Sequence, residues 1–157
     1  DPDGYNSVTS ALRELLNQFP GLNGEKIKFH VLPDSGGICI MTDNGAVVDI
    51  EHKYITGYIV QECSYPFAVI YRASGTSENR KANIAEWLDT LGRWLERQTI
   101  TLSGNNYTLA ESPELSGSRK FTAIERTSPA YLNVDQESHA EDWIIYLSAK
   151  YTNEFFK

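Results

Sequence analysis

The sequence predicts an α+β fold: an antiparallel-rich β-sheet with two main α-helices packed on it. Three observations carry this. Apolar residues recur at helical spacing in two separate segments, around residues 7–19 and 77–98. Between and after those segments, short runs alternate apolar and polar residues, as half-buried strands do. The resulting order is helix, three to five strands, helix, two strands. Strict βαβ alternation, the mark of a doubly wound nucleotide-binding sheet, is missing, so the helices are expected on one face of an antiparallel sheet.

Each element has a local reason. In Ser7–Phe19, Val8, Leu12, Leu15, Leu16 and Phe19 share one helical face, and Arg13, Glu14, Asn17 and Gln18 share the other. Asn6 or Ser7 can cap this helix, and Pro20-Gly21 ends it. Lys26–Val31 alternates and reads as a strand. Pro33-Asp34-Ser35-Gly36-Gly37 is a turn cluster. The apolar runs Ile38–Met41 and Ala46–Ile50 flank Asn44-Gly45, a dipeptide that supplies the positive φ angles of a tight turn, so a β-hairpin is predicted there. Tyr58–Cys63 and Phe67–Arg72 are strand-like. Pro66 between them marks either a bulge in one long strand or a short turn.

The second helix runs from Ser77 to Gln98, with Ile84, Trp87, Leu88, Leu91, Trp94 and Leu95 as its apolar stripe. Gly92 inside it costs about 1 kcal/mol relative to Ala and points to a close approach by another backbone. Thr101–Gly117 reads as a long polar loop with a short strand at Tyr107–Leu109. Lys120–Arg126 and Asp142–Tyr151 are strands, and Ser128–Glu141 is a second long loop between them. Trp87, Leu88, Leu91 and Trp143 are expected to be largely buried.

Composition narrows the function. The chain has 157 residues, one domain's worth. A chain of that size buries roughly 70% of its unfolded surface and needs no disulfide staples. Apolar residues make up 41% and the net charge is −7, which disfavours both disorder and a general electrostatic grip on nucleic acid or anionic membrane. The longest apolar run, Pro66–Tyr71, is far shorter than the ~20 residues of a membrane helix. The start, Asp1-Pro2-Asp3-Gly4, has neither a signal-peptide pattern nor an initiator Met and reads as trimmed.

Residues able to do chemistry are present but not arranged for it. Cys39 sits in an apolar run and Cys63 at a strand end, and neither has a nucleophile signature around it, so both read as packed thiols. His30, His52 and His139 could supply an imidazole. Asp49, Glu51 and His52 cluster in sequence, with Glu141 elsewhere, but no metal-ligand spacing such as His-Glu-x-x-His occurs. Continued alternation would also put Glu51 and His52 on opposite faces. Ser35-Gly36-Gly37 lacks the lysine and following helix of a phosphate-binding loop. Asn106-Tyr107-Thr108 matches a glycosylation acceptor, which reads as chance without a secretion signal. Basic residues occur in pairs, Arg80-Lys81 and Arg119-Lys120, not in a stripe with interleaved aromatics. No catalytic, cofactor or metal residue is therefore expected. The two long loops carry Tyr107, Leu109, Tyr131, Leu132 and Val134 in polar surroundings, and these are the candidate protein-interface residues.

The whole pattern resembles the minor capsid, or tail terminator, proteins of long-tailed bacteriophages. The resemblance rests on the amphipathic opening helix Val8–Phe19 and on Tyr65-Pro66-Phe67-Ala68-Val69-Ile70-Tyr71-Arg72. It continues through the tryptophan-bearing Asn83-Ile84-Ala85-Glu86-Trp87-Leu88 and the closing pair Phe121–Leu132 and Glu141–Tyr151. It implies a structural protein without enzymatic activity. Such proteins form a hexameric ring that caps the tail tube, binds the tail-tube protein on one face and a head-completion or connector protein on the other, and resides in the virion after assembly in the host cytoplasm. The acidic balance fits a ring through which DNA slides without sticking. The alternatives are a head-side connector or tail-tube subunit and, in a different class, a small α+β enzyme or ligand-binding domain.

Overall fold

The structure, a computed structural model, describes residues 5–22, 24–30, 36–42, 45–74, 78–115, 117–134 and 140–157. Its elements are α1 (Tyr5–Leu16), β1 (Ile27–Phe29), β2 (Gly37–Met41), β3 (Val47–Lys53), β4 (Tyr58–Ser74), α2 (Glu78–Leu95), β5 (Ile100–Leu102), β6 (Asn105–Tyr107), β7 (Arg119–Arg126), β8 (Tyr131–Val134) and β9 (Ala140–Phe156). The fold is α+β.

Two strands of 17 residues, β4 and β9, form the spine of the sheet. They pair antiparallel from Tyr58↔Phe156 to Ser74↔Ala140 with no shift of register. Strands usually run to 3–10 residues; at ~3.3 Å per residue this pair is about 56 Å long. Short strands lie end to end along its two outer edges. β3 and then β2 line β4, while β7 and β8 line β9. β1 adds to β2 in parallel, and every other pairing among the described residues is antiparallel.

The expected Asn44-Gly45 hairpin does not form. Among the described residues β2 and β3 do not pair with each other; β2 pairs with residues 68–72 of β4 and β3 with residues 59–64. Asn44 itself lies outside the described residues. Both runs instead lie antiparallel to β4 and so run in the same direction, because β4 is long enough to partner both. The reversal comes later, at Tyr54–Gly57. There the Tyr54 N–H donates to the Tyr58 carbonyl (2.9 Å), the Gly57 N–H donates to the Tyr54 carbonyl (3.0 Å), and Gly57 has φ 87°.

Pro66 is neither bulge nor turn. It passes through β4 in register, opposite Ser148. On the other edge of β4 the described partners stop at Ser64 and resume at Ala68. The missing prolyl N–H therefore falls where no ladder bond is made.

One face of the spine carries the core. Tyr65, Phe67 and Val69 of β4 and Ile145, Leu147, Ala149 and Tyr151 of β9 join Val8, Leu12, Leu15 and Leu16 of α1 and Ile84, Leu88, Leu91, Trp94 and Leu95 of α2 in one buried cluster. Both helices reach this face: Thr9 Oγ1 lies 2.6 Å from the Tyr65 hydroxyl, and Trp87 meets the Tyr71 ring edge-on. α1 begins at Tyr5, two residues before the expected start at Ser7. Beyond α1, Asn17 accepts from the Ile27 N–H (2.9 Å) and donates to the Ile27 carbonyl (3.1 Å), which satisfies part of the free edge of β1.

Trp87 and Trp143 are partly buried and pack against the core from its margin; Trp87 spends its indole N–H on the Gly21 carbonyl (2.8 Å). Two further expectations are corrected. The segment after α2 is no open loop at its start. β5 and β6 form a hairpin turned at Ser103-Gly104, whose φ angles of 51° and 81° are both positive, as a mirror-type turn requires. Residues 128–141 are also not a structureless loop, because β8 pairs with β9 from Tyr131↔Ile144 to Val134↔Glu141.

Gly92 does mark a close approach, though by a side chain. A Cβ there would stand 2.5 Å from Arg126 Cδ and 2.8 Å from its Cγ. The Arg126 stem crosses α2 in that slot. Its guanidinium pairs with Asp89 and with Glu96 (Nε–Oε1 2.8 Å), one on each side of Gly92.

Candidate interaction surface

Asp49, Glu62, Cys63, Glu125 and Lys150 line one cavity of about 610 Å³ between β3, β4, β7 and β9, while neither His30 nor His52 lines it. Cys39 and Cys63 are both buried. Burial pushes the Cys39 thiol up to about 11 against the nearby Arg72 charge, and burial also raises Cys63. His30 accepts from the Thr42 N–H at Nε2 (3.1 Å). His52 is exposed beside Glu62 (3.4 Å). Glu51 accepts from Gln61 (2.8 Å), a bond that lowers its carboxyl pKa. Gln61 and Glu62 are consecutive in β4, so Glu51 and His52 do face opposite sides of the strand pair. His139 and Ser35 lie outside the described residues. Among the described residues no group of three His, Cys, Asp or Glu side chains is placed to hold a metal. Gly36 leads into a strand, not a helix; a Cβ on it would stand 2.9 Å from the Arg72 carbonyl, and its φ is 121°. The residue is a close-approach glycine at the sheet edge.

The five candidate interface residues separate into two places. Tyr107 and Leu109 are half-buried against the core, with Leu109 beside Leu95 and Ile124 near the end of α2. Tyr131, Leu132 and Val134 lie on β8, where Leu132 is half-buried and Tyr131 and Val134 are exposed. Tyr131 stacks on Tyr146 with ring centroids 6.0 Å apart and hydroxyls 3.3 Å apart; that hydrogen bond raises the Tyr131 phenol pKa.

Tyr146 belongs to the face of the sheet opposite the helices. Beside it is an apolar groove of about 340 Å³ lined chiefly by Met41, Pro66, Ala68, Ile70, Ile144 and Tyr146. Sequence reading missed this groove, because it is built from residues of three strands that come together only through the registers of β2, β4 and β9.

A second surface was missed as well. All seven residues of β3 are exposed. With the Tyr54–Gly57 turn, the start of β4 and the end of β9, β3 forms a β-arm at the end of the spine away from Tyr65–Ala73. Val47, Val48, Ile50, Tyr54, Ile55 and Phe156 are exposed there, and Ile55 is completely so (108%). The arm is ordered by its own contacts. Tyr58 donates to Glu154 and stacks near Phe156 (5.0 Å), and the Lys157 N–H donates to the Gly57 carbonyl (3.0 Å). The signal lay in Val47-Val48 and Ile55: apolar residues at consecutive positions, or inside a turn, cannot all face one core.

No helix among the described residues is long and apolar enough to cross a membrane. No protein-family model matches the chain, and no curated protein matches it either.

Proposed function

We propose that this chain is a structural virion protein: a tail terminator, or tail-to-head joining protein, that caps the tail tube of a long-tailed bacteriophage as a hexameric ring and connects it to the capsid. The observation that carries the reading is the β-arm, an ordered surface on which Val47, Val48, Ile50, Tyr54, Ile55 and Phe156 are all exposed, as at sites of protein contact. Two further features support it. The order of helices and strands resembles that family, and among the described residues no group of three His, Cys, Asp or Glu side chains is placed to hold a metal. In this reading the partners are further copies of the chain, the tail-tube protein and a head-completion or connector protein. It involves no cofactor, no catalysis, no membrane and no specific nucleic acid. The net charge of −7 suits a ring that lets DNA pass.

Tyr131, Leu132 and Val134 on β8, with Tyr107 and Leu109, remain the proposed contacts to neighbouring proteins. The reading is tested by adding the purified protein to tails assembled without their terminator. Tails of uniform length that then join heads are expected; tails that stay uncapped refute the assignment. Binding to filled heads alone would make the chain a head-side connector.

A further inference from the structure

We propose that the concavity at the tip of the β-arm binds a small organic cation of the quaternary-ammonium class, received by the rings of Tyr54, Tyr58 and Phe156. The site belongs to the single chain, so it stands whether or not the chain caps a phage tail.

The turn at Tyr54–Gly57 folds β3 back onto β4, and the end of β9 runs along the other edge of β4. These registers bring three rings abreast. Tyr58 is paired with Phe156 across the ladder, and the Tyr54 N–H donates to the Tyr58 carbonyl. The ring centroids are 6.1 Å apart for Tyr54 and Tyr58 and 5.0 Å apart for Tyr58 and Phe156. Neighbouring planes are tilted by 37° and 49°, so the rings do not make the flat platform on which a sugar ring stacks. With Ile55 and Thr56 they line an open concavity of about 550 Å³. Small-molecule sites commonly measure ~300–1,000 Å³.

The charge of the occupant follows from the surroundings. The face of an aromatic ring is electrostatically negative and attracts a cation placed within ~6 Å of its centroid. A carboxylate reinforces the middle ring: the Tyr58 hydroxyl donates to Glu154 (2.5 Å), two residues before Phe156 on the same face of β9. Donation to an anion enriches the Tyr58 ring in electrons, and the same bond raises its phenol pKa, so the proton stays on Tyr58. The neighbouring bases are engaged elsewhere. Lys53 pairs with Glu51 (3.5 Å), which accepts from Gln61 on the opposite face of β4 from Tyr58. Lys157 also acts on Glu51, and His52 lies against Glu62 (3.4 Å).

The lining selects the kind of cation. It offers rings, the Ile55 side chain and few polar atoms. A primary ammonium or a guanidinium gives up hydration there and finds too few acceptors for its N–H groups. A quaternary ammonium has no N–H to satisfy, and its methyl groups spread the positive charge over a surface that suits ring contact.

The test follows the aromatic ring signals of the parent protein by NMR at constant ionic strength. The probes are tetramethylammonium, choline, methylammonium and neohexyl alcohol, the uncharged carbon isostere of choline. Tetramethylammonium and choline should give saturable shifts in the millimolar range and bind about tenfold more tightly than the alcohol or methylammonium. Phe156→Leu keeps an apolar side chain at an exposed position, so its melting temperature should match the parent's while choline binding weakens about fivefold. Glu154→Gln keeps an acceptor for Tyr58 and removes the charge; it should weaken choline and leave the alcohol unchanged. Any of three results overturns the proposal. An alcohol that binds as tightly as choline makes the concavity merely apolar. Methylammonium that matches tetramethylammonium reduces the effect to attraction by an acidic chain. Choline that gives no saturable shift, or that binds Phe156→Leu as it binds the parent, removes the site from these rings.

Discussion

Residues 59–64 and 65–73 belong to one strand with one register, yet they live in different surroundings. The second stretch lies under α1 and α2, where Tyr65, Phe67 and Val69 are at most 2% exposed. The first stretch is flanked by β3, whose every residue is exposed. Backbone pairing is continuous through both, since β9 matches β4 residue for residue. What differs is whether side chains from other elements cover the faces. Hydrogen bonds thus pair the whole spine, while burial, and most of the stability that comes with it, is greatest at the helix end. Ile59 and Cys63 are buried in the first stretch as well, at 4% and 5% exposed, so it is β3 beside that stretch, and not the strand itself, that presents surface.

The contrast predicts a steep gradient of mutational cost. Leu88→Ala, at a fully buried site under the sheet, should lose about 2–5 kcal/mol in urea unfolding. Ile50→Ala on the arm should lose no more than about 0.5 kcal/mol, the usual limit for surface changes. Equal losses at the two sites would mean that the arm is covered in the free protein. Trp87→Ala belongs between them, at about 2–3 kcal/mol, because its ring is half-buried and a fully buried aromatic costs ~3–5.

The α2–β7 lock comes next in size. Gly92→Ala gains about 1 kcal/mol of helix propensity. It also drives a methyl group into the Arg126 stem, whose guanidinium is pinned by Asp89 and Glu96. Overpacking of this kind costs about 1–3 kcal/mol, so a net loss in thermal unfolding is expected. Combining Gly92→Ala with Arg126→Ala should cost less than the sum of the two single changes, because the second removes the clash created by the first. Strict additivity would contradict the slot.

The smallest effect concerns the thiols. Cys39 is raised from 9.0 to about 11 by burial. Its thiolate fraction at pH 8 is then about a hundredfold below that of an ordinary thiol. Iodoacetamide should label the native protein slowly at both cysteines and rapidly in urea. The sign of the linkage follows. The protonated thiol is favoured in the folded state, so this contribution to stability is complete below pH 9 and is lost as pH rises towards 11. Fast labelling of native protein would place a cysteine at the surface.

Legibility from sequence followed locality. The α1 and α2 stripes, the alternation of β7 and the middle of β9 depend on neighbours within a few residues, and each was placed within a few residues of its ends. The arm and the groove depend on long-range register. Asn44-Gly45 has strong local turn chemistry, yet β4 took both flanking runs as partners and overrode it. Ser103-Gly104 had a weaker signal and made the tight turn, because nothing longer competed for Ile100–Leu102. The last residues of β9, Thr152–Phe156, carry little apolar pattern of their own and are strand because β4 continues opposite them. Pro66 was ambiguous for the same reason: only the gap between the partners of β2 and β3 shows why it is tolerated.

Negative-stain electron microscopy of the parent protein beside Ile55→Glu, across a concentration series and with isolated tail tubes, tests the central claim most directly. The parent should form closed rings, free or seated on tube ends, while Ile55→Glu keeps the parent's melting temperature and forms none. Rings that persist in Ile55→Glu, or a parent that forms none under any of these conditions, would contradict a protein whose covered half holds the fold and whose bare half builds the assembly.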